Sequence, residues 1–413
     1  MIDLARVAEK AKAAQAALQR ASTYDRQQFL HHLSAGLTAN RAAIEQANSE
    51  DLANAEKTGV APPMLDRLSL QGRVPQLVHN AEDVAALADP LALISDAHVL
   101  PNGLRVERRR VPLGVLMMIY EARPNATIEA AVLAVKSGNA IILKGGKEAE
   151  RTNAVLGEQL RTALRAAGLP EDAVQVLTGL GHDATIQLLR MPGIDLCIPR
   201  GGEALIRTVR ENARMPVLAH GPGVCHVYID EVIDQESALA VALNAKLDRP
   251  STCNASETML VHVAQAPSFL PAFAKKYLAA GGELRADERA FGFMPGAKPA
   301  VAEDFGREFL ANILAVKVVD SLAEAIGHIA RYGTHHSDAI CTTHLKHAER
   351  FVREVDSSAV FVNASTRLND GSALGMGAEL GISTSKFHSY GSMGLAALTI
   401  EKTVAFGDGH VRQ

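Results

Sequence analysis

The spacing of apolar residues changes several times along the chain, and each change marks a different kind of element. Up to residue 57 they recur at helical intervals, as in Arg26-Gln-Gln-Phe-Leu-His-His-Leu33 and again over 42–55, and Thr58-Gly59 reads as a stop. Two or three helices are expected there, and the helical pattern resumes over 64–89 until Asp89-Pro90. Residues 95–111 differ in kind. His98-Val-Leu100 and Leu104-Arg-Val-Glu-Arg108 are strand-like arms around Pro101-Asn102-Gly103, and Asn-Gly tolerates the positive φ of a type I′ hairpin turn. A lone hairpin is marginal in water, so this one is expected to lie against another subunit.

From Pro112 onward strand and helix alternate. The continuous apolar run 113–120 suits a strand buried on both faces. Further strands are expected at 140–144, 173–177, 194–198 and 217–219, with helices over 126–137, 147–167, 182–189 and 203–213 between them. Strands joined by helices of this length require a parallel, doubly wound α/β sheet, which binds ligands at the carboxyl ends of its strands. A second α/β unit begins at 224–230, with strands at 258–263, 313–319 and 359–363 and helices at 237–246, 322–331 and 344–354. The tail 395–406 alternates as a strand does, and a neighbouring subunit is its expected partner.

At 413 residues the chain is long enough for two cores. Its net charge of −4 provides no basic field, which disfavours nucleic acid and anionic membrane surfaces as partners. No apolar run approaches the roughly 20 residues that span a bilayer, and the charged, Ala-rich first 20 residues do not read as a signal peptide. Cys197, Cys225, Cys253 and Cys341 are scattered and form no CxxC pair, so free thiols in a reducing cytoplasm are expected.

Of the four, Cys253 stands apart. It lies in Arg249-Pro-Ser-Thr-Cys-Asn-Ala-Ser-Glu257, after a helix-stopping Pro and before an apolar strand. Ser251, Thr252, Asn254 and Ser256 would pack poorly around a core residue, whereas a cysteine on such a loop can present its sulfur to a cleft. His335, His336, Cys341, His344 and His347 raise a metal question. No carboxylate or second cysteine completes a tetrahedral set, so no metal site is expected.

Several separated stretches together resemble the aldehyde dehydrogenase superfamily: Pro112-Leu-Gly-Val and Asn125, Gly138-Asn-Ala-Ile-Ile-Leu-Lys144, Gly201-Gly202, Cys253, Glu303-Asp-Phe-Gly306 and Val360-Phe-Val-Asn363. The resemblance runs over nearly the whole chain. It narrows, through Tyr120-Glu-Ala-Arg-Pro-Asn125, 249–257 and Leu374-Gly-Met-Gly-Ala-Glu-Leu-Gly-Ile-Ser-Thr384, to the branch that reduces an acyl phosphate of glutamate. It implies a cofactor domain over 1–94 and 112–222, a catalytic domain over 223–385, and a hairpin arm for oligomerisation over 95–111 and 386–413. It implies NADPH-dependent reduction of L-glutamyl 5-phosphate to L-glutamate 5-semialdehyde through a Cys253 thioester, the second step of proline synthesis. It also implies a homo-oligomer, a dimer or a pair of dimers, and functional coupling to the glutamate 5-kinase that makes the unstable acyl phosphate.

The resemblance gives Asn125 the part of an oxyanion donor beside the Cys253 backbone N–H; the alternative for an Asn after a Pro is an Asx turn or helix cap. Lys144 ends a buried strand, and Lys147 replaces an acidic residue common in NAD-using relatives. Two lysines around Gly145-Gly146 suit a 2′-phosphate, hence NADPH. Gly201-Gly202 allows close backbone approach to a phosphate or nicotinamide, and Glu303, with Phe305 behind it, resembles the family's ribose-binding Glu. Arg123, Arg249 and Arg367 are three unranked candidates for the substrate's amino-acid end. Hydrolytic relatives carry a general-base Glu just before a Gly-rich turn, and this chain has Ala219-His220 before Gly221. The two rival readings are a hydrolytic aldehyde dehydrogenase, which the missing Glu disfavours, and an inactive structural member, which the presence of Cys253 and Asn125 disfavours.

Overall fold

The computed structural model describes residues 3–219 and 221–412. They fold as two compact units, the first from residues 3–219, 375–381 and 393–412, the second from 221–374 and 382–392.

The first unit is built on a four-stranded parallel sheet in the order Val174–Leu177, Ala140–Lys144, Val115–Tyr120, Leu196–Arg200. Successive side chains of a strand point to opposite faces, and Val115–Tyr120 uses both. Leu116, Met118 and Tyr120 enter a core with Leu33, Leu77 and Leu133. Val115, Met117 and Ile119 enter another with Leu188, Ile194 and Val209. Every residue of that strand is buried, as the unbroken apolar run requires. Pro199 lies on the edge strand, where its missing N–H costs no ladder bond. The fifth strand expected at 217–219 is reduced to one bridge, Cys197 to Val217.

The N-terminal helices are Leu4–Leu18, Thr23–Ala39 and Arg41–Lys57, the second opened by a reciprocal Ser22–Asp25 capping box. The helical pattern over 64–89 breaks into Pro62–Leu68 and Val74–Ala86. The buried Asn48 explains the break: its Oδ1 accepts from Leu70 N (2.7 Å) and its Nδ2 donates to Leu68 O (2.9 Å), binding backbone that a helix would have bonded itself.

The hairpin forms from Ile94–Val99 and Arg105–Pro112, with a correction to its turn and another to its partner. Of Asn102 and Gly103 only Gly103 has positive φ (+88°), so the turn is not type I′; the Asn102 side chain instead accepts from Leu104 N (3.2 Å). The hairpin finds its partner within the chain, because Arg105–Pro112 pairs antiparallel with Thr399–Phe406 along its length. The tail is a strand only from Thr399; Leu395–Leu398 is a 3₁₀ turn.

The second unit has a seven-stranded parallel sheet, in the order Lys298–Pro299, Glu283–Ala286, Ile313–Val319, Ser256–His262, Cys225–Ile229, Ser337–Cys341, Ala359–Val362. The first two strands are too short to leave a sequence pattern. Ser256–His262 is central and wholly buried, so the loop before it leaves the sheet at a fixed point.

Candidate active site

Cys253 precedes the central strand by three residues, on the loop that follows helix Gln235–Leu247. The loop is tied at several points. Thr252 N and Oγ1 both donate to Arg249 O (3.2 and 2.8 Å), and Ala255 N donates to Thr252 O (3.0 Å). Asn254 is buried; its Nδ2 donates to Asn369 O (3.0 Å), and its Oδ1 accepts from Arg367 Nη1. Arg367 Nε also meets Asp248 Oδ2 at 3.0 Å. Arg367 therefore clamps the cysteine loop through the residue next to Cys253. Arg249 is exposed on the same loop.

Cys253 is half-buried and the other three cysteines are buried. Burial pushes the Cys197 and Cys341 thiols up to about 12 and raises Cys225 well above its usual value. A thiol held protonated is a poor nucleophile, which disfavours these three. Beneath the Cys253 loop, the Cys225 thiol donates to Cys253 O (3.2 Å).

A fully buried ion pair stands four residues beyond Cys253: Lys246 Nζ and Glu257 Oε2 are 2.5 Å apart. Burial raises Glu257 to about 7 against the pull of Lys246, and burial lowers Lys246. Glu257 Oε1 also accepts from Leu310 N (3.3 Å), and Glu308 Oε1 accepts from Gly223 N (2.8 Å). Segment 308–310 thus ties the Gly-rich turn to the strand behind Cys253. In this segment's upstream neighbourhood, Glu303 is exposed and Phe305 is buried edge-on to His328 with ring centroids 5.4 Å apart. Ala219 is buried; His220 lies outside the described residues.

In the first unit, the expected cofactor and substrate residues sit on loops at the carboxyl end of the four-stranded sheet. Lys144 ends its strand half-buried, and Lys147 is exposed in the turn that follows. Glu148 Oε1 accepts from Ala122 N (2.6 Å), a residue held at φ +42°. Gly202 N donates to Glu121 Oε2 (2.8 Å), and a Cβ on Gly201 would lie 2.3 Å from that same oxygen. Asn125 is the second residue of helix Pro124–Lys136 and makes no cap; its Nδ2 donates to Glu129 Oε1 (3.1 Å). Arg123, Asn125 and Glu129 line a cleft with Arg200 and Glu379.

Sequence reasoning missed Glu121, Glu129, Glu148, Arg200, Glu308 and Glu379. Glu129 was findable, since it stands one helical turn from Asn125. Glu308 was not, because nothing in the sequence links it to Gly223. Of the histidine region, His344 caps helix Leu345–Glu354 and His347 Nδ1 meets Asp230 Oδ2 at 2.8 Å. Among the described residues no group of three or more His, Cys, Asp or Glu is arranged to hold a metal. None of their helices is long and apolar enough to cross a membrane.

A sequence profile of the aldehyde dehydrogenase family matches residues 2–290. The γ-glutamyl phosphate reductase of Meiothermus ruber is 49% identical over 412 residues, covering 99% of each chain. That of Sorangium cellulosum is 52% identical over 374 residues, covering 90% of this chain and 88% of the relative. The crystal structure of γ-glutamyl phosphate reductase from Thermotoga maritima superposes with a TM-score of 0.96 at 40% identity over the whole of both chains. The chain belongs to the aldehyde dehydrogenase family, and within it to the γ-glutamyl phosphate reductases.

Proposed function

We propose that the protein reduces L-glutamyl 5-phosphate to L-glutamate 5-semialdehyde and phosphate, the second step from glutamate to proline, through a thioester on Cys253. The observation that carries this reading is the placement of Cys253, the half-buried cysteine among three buried ones, on a loop pinned through Asn254. Its sulfur attacks the acyl carbon, the carbon–oxygen bond to phosphate breaks, and phosphate leaves as a stable anion. No strong general acid is needed for that departure. Asn125 Nδ2 and the Cys253 N–H are the proposed donors to the oxyanion, where preorganised hydrogen bonds are worth most. After reduction the thiohemiacetal collapses: the carbon–sulfur bond breaks, the aldehyde departs and the thiolate is regained.

NADPH, when bound, supplies the hydride. Two cationic side chains at the carboxyl end of a parallel sheet, Lys144 and Lys147, fit its 2′-phosphate, and Glu148 is turned onto the Ala122 N–H. In this reading the first unit holds the cofactor and the second the nucleophile. Coupling to the kinase that makes the short-lived acyl phosphate belongs to the same reading, as does assembly into a dimer or pair of dimers.

The hydrolytic rival is tested by running the reaction backwards. A general base typically contributes about 10²–10⁴-fold, and the position before Gly221 carries no carboxylate. Water should therefore attack the acyl-Cys253 poorly, while phosphate, already an anion, needs no base. Oxidation of the semialdehyde is expected to require phosphate or arsenate, with at most one equivalent of NADPH per Cys253 without it. Steady NADPH formation in phosphate-free buffer at a comparable rate would overturn the reading.

A further inference from the structure

Cys225 is a buried thiol that the thioester chemistry does not consume. It opens the strand Cys225–Ile229, and its Sγ donates to Cys253 O (3.2 Å). The sulfur in turn accepts from the Ser337 backbone N–H and lies 3.6 Å from His336 Nδ1. The stretch leading into Cys225 is anchored as well. Gly223 N donates to Glu308 Oε1 (2.8 Å), and Val224 N donates to Thr334 Oγ1 (2.9 Å). Cys225 thus presents its proton from a firmly held piece of backbone.

The contact holds one of two peptide planes. A residue's backbone has two soft torsions, φ and ψ, which relate the planes on either side of its Cα. On one side of Cys253, Thr252 O accepts from Ala255 N (3.0 Å). On the other, Cys253 O accepts from Cys225. With both planes held, the directions of the Cys253 N–H and of its Cα–Cβ bond are set. Only the χ1 rotamer is left to place the sulfur.

The same thiol is also linked to the far end of the second plane. His336 Nδ1 lies 2.8 Å from Ser337 Oγ, Asn369 Nδ2 donates to that Oγ (2.8 Å), and Asn254 Nδ2 donates to Asn369 O (3.0 Å). The contacts therefore run from Cys225 through His336, Ser337 and Asn369 to Asn254, the residue that completes the plane. All five residues are buried, where hydrogen bonds in a chain reinforce one another. Burial also raises the Cys225 thiol well above its usual value, so the proton it donates stays on the sulfur.

We propose that Cys225 is a positioning residue for the reaction: its thiol orients the Cys253–Asn254 peptide so that the Cys253 sulfur and N–H meet the acyl carbon and its oxygen together. Cys225 itself forms no bond to the substrate. The proposal rests on the reductase reading above, in which Cys253 is the nucleophile.

Ser and Ala fill nearly the same space and differ by a hydroxyl donor, so Cys225→Ser and Cys225→Ala separate the hydrogen bond from the packing. The test measures kcat for semialdehyde oxidation with NADP⁺ and phosphate, the KM for NADP⁺, and the rate at which iodoacetamide alkylates Cys253. In Cys225→Ala kcat should fall about tenfold or more, since displacing a reacting group by about 1 Å can cost about 100-fold. The KM for NADP⁺ should hold, and alkylation, which needs no aligned oxyanion donor, should change much less than kcat. Cys225→Ser should recover most of the lost kcat. If Cys225→Ala does not fold, Cys225→Thr and Cys225→Val, equal in shape and again differing by a hydroxyl, make the same comparison. Equal kcat in the two members of a pair, or alkylation falling as far as kcat, would overturn the proposal. A wild-type enzyme with no semialdehyde oxidation at all would instead overturn the reductase reading itself.

Discussion

Gly223 runs so close to Cys253 that a Cβ on it would lie 1.9 Å from the Cys253 carbonyl oxygen and 2.9 Å from its Cα. Both are backbone atoms, which cannot swing aside as a side chain can. Gly223→Ala must therefore displace the cysteine loop. Forced overpacking costs about 1–3 kcal/mol, and moving a reacting group by about 1 Å can cost about 100-fold in rate. A kcat about 100-fold lower with a modestly reduced Tm is the expected result; wild-type kcat would show that the loop gives way without moving the sulfur.

A thiol reagent should distinguish Cys253 from the other three cysteines. In the native protein at mildly alkaline pH, rapid labelling should reach a single thiol, and all four should react after denaturation. Cys253→Ala should remove the fast phase and all turnover while leaving NADPH binding intact. A well-folded Cys341→Ala that loses turnover would contradict the assignment.

The buried pair Lys246–Glu257 should punish half-measures. Removing one partner of such a pair costs about 3–5 kcal/mol, because the other charge is left buried alone. Lys246→Met should unfold at much lower denaturant, and adding Glu257→Leu should restore much of the loss. Chemical denaturation of the single and double variants checks this, and equal losses in both would mean the pair is not coupled.

His328 gives the fold a pH dependence of known sign. Burial, helped by His226, Lys317 and Arg331, lowers it to about 3 from an ordinary value near 6.5. The unfolded chain takes up this proton as pH falls below 6.5 while the native state does not, so stability is lost between about 6.5 and about 3. The slope from one such group reaches about 1.4 kcal/mol per pH unit. His328→Phe, which keeps a ring against Phe305, should flatten the difference in this window; an unchanged slope would assign the effect elsewhere.

Cofactor choice should follow charge. Charge-assisted hydrogen bonds contribute about 1.5–3 kcal/mol, enough for a tenfold preference. Lys147→Glu should move the ratio of kcat/KM from NADPH towards NADH. An unchanged ratio would mean the 2′-phosphate is held by other groups.

A strand buried on both faces was plain in the sequence where burial leaves an uninterrupted apolar run, as in Val115–Tyr120, whereas the polar Ser256 and Glu257 hid the start of Ser256–His262. The loop position of Cys253, less buried than the other cysteines, was legible from its polar neighbours. What escaped depended on contacts distant in sequence. No local pattern shows that Asn48 interrupts the helical run at 69–73, or that Arg105–Pro112 and Thr399–Phe406 satisfy one another. The carboxylates were hidden for the same reason: Glu121, Glu308 and Glu379 are ordinary surface-type residues until the fold sets them beside Gly202, Gly223 and Arg200.

The pairing of Arg105–Pro112 with Thr399–Phe406 also sets an order of events at the ribosome. Those strands lie about 290 residues apart, and the second unit is made in between. Loop closure over such a distance is slow, and contacts cannot form before both halves exist. The second unit, which ends with residues 382–392, can therefore condense while the first still waits for the strand at Thr399–Phe406. During that interval the unpaired edge of Arg105–Pro112 is open to wrong partners, including the same edge on another nascent chain. Its basic run, Arg108-Arg109-Arg110, keeps like edges apart by charge until the proper strand arrives.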